Sequence, residues 1–277
     1  MDASLKKRVL TAVIGLPLII LLLLCPRWVI VLTVIVASLI SSYEYFNAVG
    51  ISEFKNLSII GYLGAIIIPF GFLVSSMTAL IFVYVYITVL FIIMMAGNKK
   101  PTLVQVALLI AGLLYIPYFL SHIIFIRSME FGNVYIWLVF IGAFMTDSAA
   151  YFSGTLIGGR KLCPSISPKK TVAGAIGGLL GCGVGFLIFG LIVNGFLGDY
   201  LLGANRLSLW WLFVLGAITG VVSEIGDLIA SVIKRQFGIK DFGNILPGHG
   251  GILDRCDSII MVSPVIYIFI ECIGILV

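Results

Sequence analysis

Residues 209–229 read LWWLFVLGAITGVVSEIGDLI, a long apolar run with acidic residues near its end. A helix needs roughly 20 apolar residues to cross a hydrocarbon core of about 30 Å, and this run has that length. Glu224 and Asp227 interrupt it, and Ser231 and Lys234 continue the spacing of three, four and three residues. On an α-helix these four side chains fall within about 80° of one another. The run therefore predicts a membrane helix with one polar stripe, which must face a cavity or a partner because lipid would penalise it.

Similar apolar blocks recur along the whole chain of 277 residues. Of these residues 61% are hydrophobic and only 10% are charged, whereas an average soluble domain has about 25% charged residues. The chain is therefore predicted to be an all-α polytopic membrane protein with about nine transmembrane helices. The predicted spans are Val9–Leu24, Trp28–Ala48, Leu57–Val74, Met77–Ala96, Leu103–Ile126, Val134–Phe152, Val172–Val193, Leu209–Ile229 and Ser258–Val277.

Positive charge is distributed unevenly over the predicted loops. With the N-terminus in the cytoplasm, fourteen of the 17 Lys and Arg residues face the cytoplasm, as the positive-inside rule expects. The sequence thus predicts a cytoplasmic N-terminus and an extracytoplasmic C-terminus, and the net charge of +5 reflects topology rather than nucleic-acid binding. Residues 1–130 are predicted to form an N-terminal scaffold of five spans. Residues 131–277 are predicted to form a catalytic region of four spans and two cytoplasmic loops.

The five scattered cysteines form no CxxC pair and no Cys/His cluster, which argues against zinc and against a disulfide framework. Charges inside predicted spans are more informative, because they are costly and commonly mark function. Asp147 lies late in the sixth span, and Tyr151, four residues later, shares its helix face. A hydrated helix end would also explain Asp147, and a structural ion pair would also explain the stripe of the eighth span.

The segment after the eighth span, residues 240–257, reads KDFGNILPGHGGILDRCD. Its glycines let the backbone approach a ligand closely, and Asp254 and Asp257 lie three residues apart at the predicted start of the ninth helix. Carboxylates beside backbone amides and lysines favour Mg²⁺ bound together with phosphates, since Mg²⁺ combines one or two carboxylates with water and phosphate oxygens. His249 is a candidate phosphate donor. A glycine-rich surface loop with solvated charges is the alternative.

The loop after the sixth span, residues 153–171, reads SGTLIGGRKLCPSISPKKT and leads into a predicted helix at Val172. Backbone amides at a helix start, with Lys169 and Lys170 beside them, predict a cradle for phosphates. The loop lacks the spacing of a Walker A motif. A basic juxtamembrane loop that touches anionic lipid is the alternative.

The run from Ser231 to Asp257 resembles the signature of the phosphatidate cytidylyltransferases (CDP-diacylglycerol synthases). That signature reads S-x-x-K-R-x4-K-D followed by LPGHGG-x-x-DR-x-D, and the chain matches it across 27 residues. The blocks Asp147–Tyr151 and Ser167–Thr171 also resemble this family. The family commonly has glutamates where this chain has Ala173 and Ala230, so those carboxylates cannot contribute here. Glu224, one turn before Asp227, is the candidate that compensates.

The resemblance implies the reaction CTP + phosphatidate → CDP-diacylglycerol + pyrophosphate, with Mg²⁺ as cofactor and a second cation left open. It implies an integral protein of the bacterial inner (plasma) membrane whose site faces the cytoplasm, and it suggests a homodimer, which no helix face in the sequence establishes. The predicted metal ligands are Asp227, Asp254 and Asp257. The predicted catalytic residues are these three with Lys234, Arg235, Lys240, Asp241, His249 and Arg255. The predicted substrate-binding residues are Asp147, Tyr151, Ser167, Lys169, Lys170, Thr171, Gly248, Gly250 and Gly251.

Two other functions remain open at this point. A membrane transporter would also carry intramembrane charges, although it should show repeats or broken helices, and no internal repeat is apparent. A CTP-dependent polyprenol kinase is the closer alternative, because it could share the nucleotide loop. A CDP-alcohol phosphotransferase is disfavoured, since its D-G-x2-A-R … G-x3-D-x3-D pattern is absent from the sequence.

Overall fold

A computed structural model describes residues 3–95, 101–245 and 250–277, with the side chains of residue 13 and of residue 15 onward. A two-stranded antiparallel hairpin, β1 (Lys161–Cys163) and β2 (Ser167–Thr171), interrupts an otherwise helical chain. Two π-helical turns, Leu114–Tyr118 and Val193–Leu197, follow the fifth and eighth helices. The helices are α1 (Ala3–Leu24), α2 (Arg27–Ala48), α3 (Lys55–Val74), α4 (Ser76–Met95), α5 (Leu103–Leu113), α6 (His122–Ser128), α7 (Gly132–Leu156), α8 (Val172–Ile192), α9 (Gly198–Leu201), α10 (Leu209–Gln236) and α11 (Leu253–Cys272).

Seven helical stretches of the described chain are long and apolar enough to cross a membrane, which confirms the predicted all-α polytopic fold. Two of the nine predicted spans do not meet the same requirement. The described apolar part of α1 is only Gly15–Leu24. Helix α11 begins with charged residues and ends at Cys272, because the tail pairs with another segment: the Val277 carbonyl accepts from the Arg206 N–H at 3.0 Å.

Two other local differences concern the predicted cytoplasmic segments. Helix α10 continues beyond the predicted end of the eighth span to Gln236, so the whole polar stripe lies on one helix. The predicted loop of residues 153–171 contains the hairpin of β1 and β2, and the Val172 N–H donates to the Arg160 carbonyl at 2.9 Å. The hairpin thereby gives backbone groups of this polar segment partners within the chain.

The chain divides into two compact units. The first unit comprises Met1–Phe125 and Gln236–Cys256, and the second comprises Ile126–Arg235 and Asp257–Val277. The predicted division at residue 130 into scaffold and catalytic region stays a prediction.

In the first unit, glycines leave space for aromatic rings between the helices. A Cβ atom added to Gly61 of α3 would lie 2.5 Å from the ring of Phe46, which is fully buried. Gly64 faces the ring of Tyr86 in the same way, and the Tyr86 hydroxyl donates to the Ile60 carbonyl at 2.8 Å. Each ring thus packs into space between helices that a larger side chain would fill.

In the second unit, α8 packs against α7 along a ridge of glycines at every fourth position, Gly177, Gly181 and Gly185. A Cβ atom on Gly177 would meet the hydroxyl of Ser153, and one on Gly181 would meet the Cβ of Ala149. Small residues at this spacing let membrane helices approach closely. Close approach strengthens van der Waals packing, which drives helix association inside lipid because the hydrophobic effect does not act there. Helices α7 and α8 are therefore held at short distance.

Helix α10 also approaches α8 through glycine. A Cβ atom on Gly220 would lie 2.7 Å from the Cα of Leu179, and one on Gly216 would lie 2.8 Å from the Cys182 carbonyl. Farther along α10, a Cβ atom on Gly226 would lie 2.7 Å from the carbonyl oxygen of Asp257. These contacts fix α7, α8, α10 and the α11 residues of the second unit at distances that larger side chains would not permit.

Gly181→Ala should lower the thermal stability of the protein in detergent, because the added methyl group meets Ala149, which has no flexible atom to move. Overpacking of this kind costs about 1–3 kcal/mol. Gly195→Ala is the matched control, since a Cβ atom there has nothing within 4 Å. Both substitutions replace a glycine by alanine within a helical segment, so the difference between their melting temperatures reports mainly the contact. Equal melting temperatures would contradict the predicted close packing.

Candidate active site

Four acidic side chains of the second unit interact electrostatically: Asp147 of α7, Glu224 and Asp227 of α10, and Asp257 of α11. Asp147 and Asp227 each act on both Glu224 and Asp257. The glycine contacts explain how the helices bring these groups together. A Cβ atom on Gly178 would lie 2.7 Å from Glu224 Oε1, so a side chain there would displace that carboxylate. We call these four residues the acidic cluster.

Two lysines accompany the acidic cluster. Lys170 Nζ, at the end of β2, lies 2.8 Å from Asp227 Oδ2, and the two side chains are 21% and 34% exposed. The charge of Lys170 also acts on Glu224, and that of Lys234 acts on Asp257. The structure therefore brings Asp147, Lys170 and Lys234, predicted separately from three parts of the sequence, to the same group of residues.

Asp257 is the most buried aspartate of the acidic cluster and lies just before the predicted ninth span. Burial raises the pKa of Asp257 to about 7, and the charges of Asp227 and Asp147 add to the increase. The Ser258 N–H, which donates to Asp257 Oδ1 at 2.8 Å, and the charge of Lys234 act in the opposite direction. Repulsion between neighbouring carboxylates is the condition that a bound cation relieves.

The acidic cluster can be tested for its fit to Mg²⁺. Within the described chain, no group of three His, Cys, Asp or Glu side chains could hold a metal ion by itself. Mg²⁺ commonly uses only one or two carboxylates and completes its shell with water and phosphate oxygens. Glu224, 8% exposed, has an Oε1 atom without a hydrogen-bond partner among the described residues. The donor set therefore fits Mg²⁺ bound together with a phosphate-bearing substrate, and does not form a complete metal site of its own.

The glycine-rich segment lies in the first unit up to Cys256, and Asp254 connects two of its described parts. Asp254 Oδ2 accepts hydrogen bonds from the N–H groups of Phe242, at 2.8 Å, and Gly251, at 3.0 Å. Between them, Gly250 has a φ of 84°, a left-handed conformation that favours glycine. One carboxylate oxygen of Asp254 is thus engaged by the loop, and its assignment to metal stays a prediction.

Sequence reasoning missed Glu44, a carboxylate of α2 that is only 2% exposed. Glu44 Oε1 accepts from the Ile252 N–H at 3.0 Å, and Oε2 accepts from the Leu253 N–H at 2.8 Å. The signal was available in the sequence, since Glu44 is an acidic residue inside the predicted second span. The cost of intramembrane charge that singled out Asp147 applies equally to Glu44.

The other predicted site residues are distributed as follows. Gly248 and His249 lie outside the described residues, and Ser167 is half-buried on β2. Thr171 is buried, and its hydroxyl accepts from the Gly174 N–H at 3.0 Å as the N-cap of α8. The exposed predicted site residues are Tyr151, Lys169, Arg235, Lys240, Asp241 and Arg255.

A membrane fold that combines clustered carboxylates, lysines and a glycine-rich loop is typical of an enzyme that acts on phosphate groups at a bilayer. The sequence profile of the cytidylyltransferase family matches residues 6–273, and the chain belongs to this family. The family predicted from the signature run is thereby confirmed, and so is the prediction of a nucleotidyltransferase.

Curated relatives support the same assignment, and one of them matches nearly the whole chain. A phosphatidate cytidylyltransferase of Staphylococcus saprophyticus is 33% identical over 274 residues, which cover 96% of this chain and 98% of the relative. One of Rickettsia bellii is 35% identical over 204 residues, which cover 74% of this chain and 86% of the relative. One of Brucella suis is 41% identical over 160 residues, covering 57% and 55%.

Thr171→Val should destabilise the protein, because it removes the side-chain acceptor at the start of α8. Loss of such a cap typically costs about 0.5–2 kcal/mol, whereas Thr171→Ser keeps the acceptor. Thermal unfolding of the three proteins in detergent checks the cap. The predicted phosphate role is checked separately by the KM for CTP. Equal melting temperatures for the Val and Ser variants would contradict the capping role.

Proposed function

We propose that the chain transfers the cytidylyl group of CTP to phosphatidate, forming CDP-diacylglycerol and releasing pyrophosphate. The observation that carries the proposal is the acidic cluster with Lys170 in contact with Asp227. Membership of the cytidylyltransferase family supports CTP as the donor. The names of the relatives support phosphatidate as the acceptor lipid.

The chemistry requires little from a general base. A phosphate oxygen of phosphatidate attacks the α-phosphorus of CTP and forms the new P–O bond. The bond from that phosphorus to the β-phosphate bridging oxygen breaks, and the electron pair leaves with pyrophosphate. A phosphate monoester has a second pKa near neutrality, so the attacking oxygen is already anionic. The main difficulty is to bring several anionic phosphates together in line, which positive charge overcomes.

The basic residues supply that charge in the proposal. Lys170 and Lys234 would neutralise phosphate oxygens beside the acidic cluster, and the flexible stem of Lys170 can exchange Asp227 for a phosphate. Mg²⁺, held by Asp227 and Asp257 with Asp254 as a further predicted ligand, would neutralise phosphate charge and polarise P–O bonds. A second cation stays a prediction. The remaining phosphate contacts are assigned to Ser167, Lys169, Arg235, Lys240 and His249.

The proposal places the site at the cytoplasmic face of the bacterial inner membrane. The uneven distribution of Lys and Arg over the predicted loops supports this orientation. CTP arrives from water and the lipid head group from the bilayer, so both substrates can meet at that face. The homodimer suggested by the family resemblance also stays a prediction, which a mass measurement in detergent would check.

Asp227→Asn should lower CDP-diacylglycerol formation from radiolabelled CTP in detergent micelles by about 100-fold or more, because it removes a charge that holds the cation. It should also weaken the protection against heat that Mg²⁺ with CTP gives the wild-type protein. Asp199→Asn is the matched control, since Asp199 lies in the same unit with a side chain that is 91% exposed. Wild-type turnover in Asp227→Asn would exclude the metal assignment.

Product analysis distinguishes the proposed reaction from the alternatives. Incubation with CTP, Mg²⁺ and phosphatidate should release pyrophosphate and form CDP-diacylglycerol. A CTP-dependent lipid kinase would release CDP and phosphorylate a polyprenol, and a transporter would release neither product. Release of CDP with no CDP-diacylglycerol would overturn the proposed function.

A further inference from the structure

We infer that Glu44 is a positioning residue that holds Gly243 and residues 251–253 of the signature segment in the shape the reaction uses. The inference rests on the proposed function, because that function makes the segment part of the site. Glu44 belongs to α2, more than 200 residues before its partners in the sequence. This role gives the N-terminal spans, which the sequence predicts only as a scaffold, a specific task.

The first observation is the hydrogen bonding of the buried carboxylate. Its two oxygens accept separately from the N–H groups of Ile252 and Leu253, at 3.0 and 2.8 Å. These are the amides at the start of α11, which begins at Leu253, and the first N–H groups of a helix have no partner within the helix. A carboxylate satisfies them and also interacts favourably with the positive end of the helix dipole. An ionised glutamate side chain fits this task better than any neutral one.

The second observation is the packing of glycines around the same carboxylate. Cβ atoms added to Gly243 or Gly251 would both meet the oxygens of Glu44. Neither glycine has a positive φ, so the backbone conformation does not demand glycine at these positions. A side chain at either position would displace the Glu44 carboxylate from the amides that it binds. Two separate parts of the loop therefore close on one side chain of α2.

The third observation is that the loop has a second carboxylate anchor. Asp254 Oδ2 accepts from Phe242 and Gly251, so Gly251 packs against Glu44 while its N–H bonds to Asp254. Gly250 and Gly251, predicted to contact substrate, thus belong to a backbone fixed from two sides. Asp254 lies within the segment itself. Glu44 lies on α2, so it is the carboxylate that connects the segment to that helix.

The test compares Glu44→Gln with Glu53→Gln, a control in which an exposed glutamate of the same unit loses its charge. The glutamine turns an NH₂ group toward an amide donor, so one charge-assisted hydrogen bond is lost. Amide hydrogen exchange at residues 250–256 should accelerate roughly 10- to 100-fold, and kcat should fall by at least about tenfold. The melting temperature should stay near that of the control. Exchange and kcat equal to the control would overturn the inference, and so would faster exchange spread over all helices, since that reports a global structural role.

A second pair of variants keeps the test decisive if Glu44→Gln does not fold. Gly251→Ala should lower kcat because its methyl group meets the Glu44 carboxylate, while Gly195→Ala should not. Glu44→Asp shortens the side chain, so in Glu44→Asp/Gly251→Ala the combined loss should be smaller than the product of the single losses. Independent losses would contradict the contact between the two residues.

Failure of the proposed function and failure of the positioning role of Glu44 give different results. If the wild-type protein forms no CDP-diacylglycerol, the proposed function fails, whatever the Glu44 variants do. If the wild-type protein is active and Glu44→Gln matches Glu53→Gln in kcat, the proposed function stands and the positioning role is excluded.

Discussion

Close approach of helix backbones through glycine is the constraint on which the second unit depends. Helix α8 presents Gly177 and Gly181 to α7 and approaches α10 at Gly220. Because the residues at these contacts are small, the helix axes lie close together, and side chains that project from α7 and α10 reach one another. Asp147 and Glu224 interact electrostatically for this reason. Larger side chains in place of these glycines would move the carboxylates apart without changing the carboxylates themselves.

The carboxylates of the described residues discussed above differ in their partners. Glu44 and Asp254 accept hydrogen bonds from backbone amides, and such satisfied groups hold the chain in one shape. Asp227 and Asp257 interact with other acidic groups and with lysines, while Asp257 Oδ1 also accepts from the Ser258 N–H. Glu224 keeps an oxygen without a partner among the described residues. These three groups retain capacity for a cation or for exchange with phosphate. The same residue type therefore builds one part of the molecule and remains available for chemistry in another.

The sequence was sufficient to predict features that depend only on residues near one another in the same helix. The apolar blocks gave the membrane helices, and the spacing of Glu224 and Asp227 gave the stripe on α10. The hairpin was missed because β1 has only three residues and β2 begins with serine and proline, which are typical of loops. Thr171 was assigned to phosphate although a threonine just before a helix is also an N-cap signal, and the structure uses it as one. The partners of Glu44 were beyond reach, since no local pattern connects residues so far apart.

The separation of 208 residues between Glu44 and Ile252 sets an order for biogenesis. Ribosomes deliver helices to the membrane from the N-terminus, so Glu44 is inserted long before the amides that it binds are synthesised. A nascent or truncated chain that lacks the residues after α10 has no partner for this carboxylate within the signature segment. The hydrogen bonds of Glu44 to Ile252 and Leu253 can therefore form only after the start of α11 has been synthesised.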